Sequence, residues 1–294
     1  MRIDGKGIAA EIFEGLKKRV GELAKNPPAG GQAIIPHLVI ILVGDDPASV
    51  AYVRQKELKA AEIGAKATIL NYESGITNQE LLKKIKELNN DNNVHGIIVQ
   101  RPLPPQINSN EINLATDPKK DIDAFHAHTQ FKMPLAAAVI KILKKVYENI
   151  GSEKNFESWL KEKNIAVLGK GETGGKPIIE KLKKINIEPA IIDSKTENPG
   201  KILQNADIVI SAIGKSHNID FKKIKNGAIL ICVGMYRGAD GKLHGDYEEK
   251  DIKNTALQYS PVPGGVGPVN VAMLLENLVL AAEKMQKMQP QFIE

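Results

Sequence analysis

"IAVLGKGETGGKP", residues 165–177, joins an apolar run to glycines at 169, 171 and 174, and the periodic segment "KPIIEKLKKI" follows directly. An apolar strand, a glycine turn and a helix in that order form the phosphate-facing corner of a nucleotide-binding βαβ unit. Glycines permit the tight turn and let the backbone approach a pyrophosphate, whose charge the helix N-terminus favours. A plain tight turn would use the same glycines, so the surroundings decide. The strand "IEPAIID" ends at Asp193, downstream by about the ~20 residues at which such units keep an acid for the adenosine ribose. Asp193 suits NAD, whereas Lys170 and Lys195 suit the 2′-phosphate of NADP, and the sequence carries both signals.

Beyond this stretch, "ADIVISAIG" and "GAILICVG" continue a series of strands separated by helices or turns. The first half repeats the alternation: a helix over about 7–25, the strand "HLVIILVG", a helix over 48–63, the strand "AKATILNY", a helix over 78–89 and the strand "VHGIIVQ". Alternation of this kind predicts parallel sheets with helical crossovers. Asp46 and Pro47 are an N-cap and a first-turn residue, and Gly64 is a stop. "NPPAGGQ" at 26–32 reads as a loop. Residues 106–128 are polar and show little periodic structure, and a helix over about 135–147 follows them.

A length of 294 residues accommodates two domains. The expected fold class is α/β: an N-terminal α/β catalytic domain over 1–140, completed by a C-terminal helix over 269–294, and a Rossmann-like dinucleotide domain over 141–268. Hydrophobic content of 42% and charged content of 26% are those of a globular protein. No apolar run is expected to reach the roughly 18 residues of a membrane span, and the N-terminus has no continuous apolar core, so neither a membrane nor a secretory signal is expected. The balance of 40 Lys+Arg against 35 Asp+Glu gives a mild +5. The lysines are scattered among glutamates, with few aromatics for stacking, so no nucleic-acid partner is expected. One cysteine, Cys232, excludes an internal disulfide and any multi-cysteine metal site. Its place in "AILICVG" predicts a packing role.

Tyr52 and Lys56 stand at i and i+4 of the predicted helix that follows "VIILVGDDP", so they share a face at a strand end, where open α/β proteins keep their chemistry. A lysine moves protons near neutral pH only when burial or neighbouring cations disfavour its ammonium, so Lys56 is expected to be partly buried. In isolation such a pair is usually a solvated surface feature. His126 and His128 have no third ligand in view, and they read as surface loop residues; no metal is expected.

Five segments, "DDPASVAYVRQKELKAAEIG", "GIIVQRPLPP", "DPKKDIDAFH", "VLGKGETGGKP" and "PVPGGVGPVNVAMLLENL", in this order and spacing, cover essentially the whole chain. Together they resemble the bifunctional methylenetetrahydrofolate dehydrogenase/methenyltetrahydrofolate cyclohydrolases. The resemblance implies oxidation of 5,10-methylenetetrahydrofolate by a nicotinamide cofactor and hydrolysis of the methenyl product to 10-formyltetrahydrofolate, in a cytoplasmic homodimer. It implies NADP as cofactor, with NAD as the alternative. It assigns Lys56 as general acid/base, Tyr52 to the folate site beside it, Gln100 to tuning the lysine and Asp123 to the pterin edge, where two carboxylate oxygens suit two N–H groups. Pro102, Leu103, Pro263, Gly264, Gly265 and Val266 are implied to line the folate, with Gly264, Gly265 and Gly267 keeping side chains away from a flat ring. Gly169, Lys170, Gly171, Thr173, Gly174, Asp193, Ser194, Lys195 and Gly214 are implied to bind the dinucleotide.

Three features depart from the family pattern. Gly169-Lys170-Gly171 stands where most relatives read Gly-Arg-Ser, Ala124 stands where glycine is usual, and "KMPLAAAV" replaces a Pro-Cys-Thr-Pro element. These leave two alternatives: another two-domain NAD(P)-dependent dehydrogenase of a small acid, or a folate-binding homologue with cyclohydrolase activity alone or none.

Overall fold

The computed structural model describes residues 1–26, 32–215 and 219–288. Most of the loop expected at 26–32, and the end of the helix expected over 269–294, lie outside the described residues. The elements in chain order are α1 (Gly5–Lys25), β1 (His37–Val43), α2 (Pro47–Glu62), β2 (Lys66–Tyr72), α3 (Asn78–Asn90), β3 (Gly96–Val99), α4 (Ser109–Ala115) and α5 (Pro134–Ile150). Then come α6 (Phe156–Lys161), β4 (Ile165–Leu168), α7 (Gly175–Lys184), β5 (Ala190–Ile192), α8 (Pro199–Asn205), β6 (Ile208–Ser211), β7 (Ile229–Cys232), β8 (Met235–Arg237), β9 (Leu243–Gly245), α9 (Glu249–Ile252), β10 (Gln258–Tyr259) and α10 (Val266–Met288). The chain forms two compact units: Ala10–Pro134 with residues from Val271 on, and Met1–Ala9 with Leu135–Asn270.

In the first unit β2, β1 and β3 make a parallel sheet with β1 in the centre. β1 is a continuous apolar run because both of its faces are covered. Val39, Ile41 and Val43 pack in one cluster with Leu81, Ile85 and Leu88 of α3 and with Ile97, Val99 and Ile112. α2 begins where the sequence predicts: Asp46 Oδ2 accepts from Ser49 N at 2.8 Å, Pro47 opens the helix, and Gly64 follows it with φ +82°. The polar stretch 106–128 is less irregular than its composition implies. Asn108 caps the short helix α4 by accepting from Asn110 N and Glu111 N, and Ile97 N donates to Lys120 O at 2.8 Å, adding a parallel bridge beside β3.

The expectation of no long apolar run is corrected at α10. This helix has 23 residues and a mean hydropathy of 1.3 over its most apolar window, so by length and composition it could cross a membrane. Leu274, Leu275, Leu278 and Val279 are buried in the fold, and Asn277 Nδ2 donates to Ile122 O and Lys132 O, both at 2.8 Å. Core packing accounts for its apolar length.

The second unit has a five-stranded parallel sheet in the order β10-β7-β6-β4-β5, with a separate antiparallel pair, β8 and β9. Ile3 N donates to Tyr259 O and Tyr259 N to Met1 O, at 2.8 and 3.0 Å. This pairing along β10 ties Met1–Ala9 to the second unit, which a boundary at 140/141 alone does not anticipate. Cys232 is the packing residue expected: it lies in the apolar cluster with Leu168, Val209 and Leu230, and burial pushes its thiol up to about 12.

Candidate active site

The polar centre of the first unit is assembled from three separated segments. Lys56, only 4% exposed, lies on the buried face of α2 with Ser49, Val53 and Ala60. Its Nζ donates to Gln100 Oε1 at 3.0 Å and sits 5.0 Å from the centre of the Tyr52 ring. Gln100 is the residue after β3, held by its own N–H to Ile41 O at 2.9 Å and by its Nε2 to Arg101 O at 2.8 Å. Burial lowers the Lys56 pKa, and the Asp123 carboxylate opposes that shift. Lys56, Gln100, Tyr52 and Asp123 are therefore brought together, with Lys56 more deeply buried than expected. An amine so placed is a proton acceptor available at lower pH than an ordinary lysine.

Asp123 is carried by a turn that the sequence reading underestimated. Lys120, buried to 4% exposure, donates from Nζ to Leu88 O, Asn89 O and Asp91 O at 3.0, 2.8 and 2.7 Å, which closes the C-terminal end of α3. Asp121 Oδ2 accepts from His126 N at 2.8 Å, and burial pushes its carboxyl up. Between them and the next helix Ala124 takes φ +63°, the left-handed region that favours glycine. His126 is buried rather than at the surface, and its Nδ1 accepts from His128 N at 2.9 Å. Among the described residues no group of three or more His, Cys, Asp or Glu side chains could hold a metal ion. Pro102 is exposed, and Leu103 packs partly buried against the cluster of β1 and α3.

In the second unit the residues around Gly169 fit a dinucleotide phosphate. Gly169 has φ +86°, its N–H donates to Ile192 O at 2.8 Å, and a Cβ there would stand 2.5 Å from Ala212 O. A Cβ at Gly171 would meet nothing within 4 Å, so the space beside this glycine is open. Gly175 lies outside the G-x-G-x-x-G spacing that marks the turn in sequence. A Cβ there would collide with Gly169 O, so this second glycine of the doublet is what lets α7 pack against the turn. Thr173, Ser194 and Lys195 are exposed at the same end of the sheet. Gly214 N donates to Asp246 Oδ1 at 2.9 Å, while Asp246 Oδ2 accepts from Ser211 Oγ at 2.6 Å and Ile213 N at 2.9 Å. Nothing in the sequence pattern singled out Asp246, which fixes the loop after β6.

Pro263–Val266 fall in the second unit, apart in the chain's division from Lys56. Gly265 is buried, and a Cβ on it would stand 2.5 Å from Pro261 O, while one on Gly5 would collide with Gly265 O. Glycine at 265 is thus required by the protein's own packing, not only by the flat ligand that the sequence suggested.

A buried lysine–carboxamide pair beside a half-buried carboxylate on one parallel α/β unit and a glycine phosphate turn on another define a two-domain enzyme of the dinucleotide-dependent α/β class. Comparison with known proteins narrows this. The tetrahydrofolate dehydrogenase/cyclohydrolase catalytic domain matches residues 3–123, and the NAD(P)-binding domain of the same family matches residues 137–286. The bifunctional protein FolD of Lactococcus lactis is 36% identical over 291 residues, 96% of this chain and 97% of that protein. The bifunctional FolD dehydrogenase/cyclohydrolase structure from Campylobacter jejuni has a TM-score of 0.86 at 33% identity, covering 97% of this chain and 99% of that one. The Trypanosoma brucei dehydrogenase–cyclohydrolase, solved with NADP and an inhibitor, has a TM-score of 0.83 at 28% identity, covering 97% of each chain. The chain belongs to the tetrahydrofolate dehydrogenase/cyclohydrolase family, and it is an enzyme with the dehydrogenase and cyclohydrolase activities of that family.

Proposed function

We propose that Lys56, Gln100, Tyr52 and Asp123 form the centre at which this chain oxidises 5,10-methylenetetrahydrofolate and hydrolyses 5,10-methenyltetrahydrofolate to 10-formyltetrahydrofolate. The observation that carries the reading is the buried Lys56 amine, hydrogen-bonded to Gln100 at 3.0 Å and electrostatically coupled to Asp123. In hydrolysis the neutral amine takes a proton from water as its oxygen bonds to the methenyl carbon. The resulting ammonium returns a proton to the ring nitrogen as that carbon–nitrogen bond breaks, and one proton is released overall. Gln100 Oε1 accepts from the amine and holds it in place, and Asp123 offers two acceptor oxygens to pterin N–H groups. Pro102 and Leu103 complete the folate-lining set of the first unit in this reading, and Pro263–Val266 keep the folate role that the family resemblance implies.

Residues 169–175, Asp193–Lys195 and Gly214 hold the dinucleotide, NADP or NAD. When bound, the cofactor supplies the hydride acceptor for the methylene carbon. The protein's share is alignment, because the folate nitrogen's lone pair expels the hydride. Residues 10–134 with the part of α10 from Val271 on would serve as the folate unit, and residues 1–9 with 135–270 as the dinucleotide unit, in a cytoplasmic homodimer.

Lys56→Met tests the centre. Hydrolysis of methenyltetrahydrofolate is expected to fall by at least the 10²–10⁴-fold typical of a lost general base, with folate still bound. Normal turnover in this variant would remove Lys56 from its role.

A further inference from the structure

We infer that Asp193, together with its partner Lys170, determines how this chain discriminates between dinucleotides with a 2′-hydroxyl and those with a 2′-phosphate, and that Asp193 favours the hydroxyl. The inference rests on the reading of residues 169–175 as the dinucleotide turn. Gly169 N donates to Ile192 O at 2.8 Å, so the glycine turn and the end of β5 are joined by main chain, and their next residues, Lys170 and Asp193, face each other. Lys170 Nζ lies 2.7 Å from Asp193 Oδ2. Asp193 Oδ1 accepts from Lys195 N at 2.9 Å and from Thr196 Oγ1 at 3.3 Å, while Asp193 N donates to Thr196 Oγ1 at 2.9 Å.

The carboxylate is thus fixed in direction, with three of its roughly four lone-pair positions engaged and acceptor capacity left. A ribose 2′-hydroxyl has a proton to donate there. A 2′-phosphate at neutral pH offers acceptor oxygens and about −1.5 to −2 charge. It would share Lys170 with Asp193, so that one ammonium offsets two like charges brought against each other. Protonation gives no relief, because the Lys170 ammonium and the Lys195 N–H hold the Asp193 carboxyl down at about 2. The glycine-turn lysine alone would read as a phosphate ligand; its engagement by Asp193 reverses that reading.

The test is binding to the full chain, read by calorimetry without turnover. NAD+ is compared with NADP+, and 5′-AMP with adenosine 2′,5′-bisphosphate, a pair that differs only in the 2′-phosphate. Asp193→Asn keeps an acceptor for Lys195 N, removes the charge and frees Lys170. It is expected to shift the Kd ratio of each pair at least tenfold toward the phosphate-bearing ligand. Asp193→Ser, a smaller side chain, should shift it the same way, and Lys170→Met should shift it the other way. Ratios within twofold of wild type in both Asp193 variants, or equal weakening of both ligands, would overturn the inference. Failure of the wild-type chain to bind either dinucleotide is a different result: it would bring down the dinucleotide reading and this inference with it.

Discussion

Burying an ammonium group is unfavourable, and at Lys56 a hydrogen bond to Gln100 Oε1 and the face of Tyr52 offset that cost only in part. The pKa is lowered as a result, which is the property a proton-transferring lysine needs. Asp123 acts in the opposite sense by favouring the charged form. Replacing Asp123 with Asn would therefore lower the Lys56 pKa further. Because hydrolysis requires the neutral amine, its rate rises with pH through that pKa, and the Asp123→Asn profile is expected to have its midpoint at lower pH than wild type. A pH–rate series on both proteins checks this, and an unmoved midpoint would take Asp123 out of the lysine's electrostatic surroundings. The shared face of Tyr52 and Lys56 was legible from the helical period. Such a pair usually lies at a solvated surface, so the role of Lys56 was legible only beside the other family segments. Its partners were legible only through family order, since nothing local links positions 56, 100 and 123.

Among the elements, the turn from Lys120 to His126 decides where Asp123 stands. Ala124 at φ +63° explains the departure from the usual glycine: the turn keeps its left-handed geometry and strains an alanine to do so. Ala124→Gly is expected to stabilise the protein by about 0.5–1 kcal/mol, the ~1–2 kcal/mol left-handed cost less glycine's chain entropy. Denaturant titration measures it, and destabilisation would contradict the strain. Lys120 differs from Lys56 in that three carbonyls surround its ammonium. Lys120→Met leaves them unpaired, so a loss of about 1–3 kcal/mol is expected, together with a raised KM for folate as the Asp123 turn loosens. A stability within roughly 0.5 kcal/mol of wild type, the range typical of neutral surface changes, would show that the carbonyls find other partners. α2 was readable to within a residue because Asp46, Pro47 and Gly64 each carry a local signal. α4 and the β8–β9 pair were not: α4 has seven residues and β8 and β9 three each, too short for a period to emerge.

At the scale of the whole molecule, the environment of Lys56 exists only when distant segments fold together, so its titration reports on the fold. Between the lowered folded-state pKa and the ordinary lysine value of 10.5 the unfolded chain binds the extra proton. Stability therefore rises with pH through that window, and the penalty of the buried amine is fully present below it. The α/β class and the dinucleotide turn were legible because strand–glycine–helix order is local. The roles of Gly175, Gly265 and Asp246 were not, because each answers to backbone that arrives from elsewhere in the chain. The most direct measurement of the account is an NMR titration of the Lys56 side chain, assigned by its disappearance in Lys56→Met. A pKa clearly below 10.5 in the folded protein, returning to the ordinary value in denaturant, is the expected result. An ordinary lysine value in the folded state would contradict the claim that burial makes this amine the base.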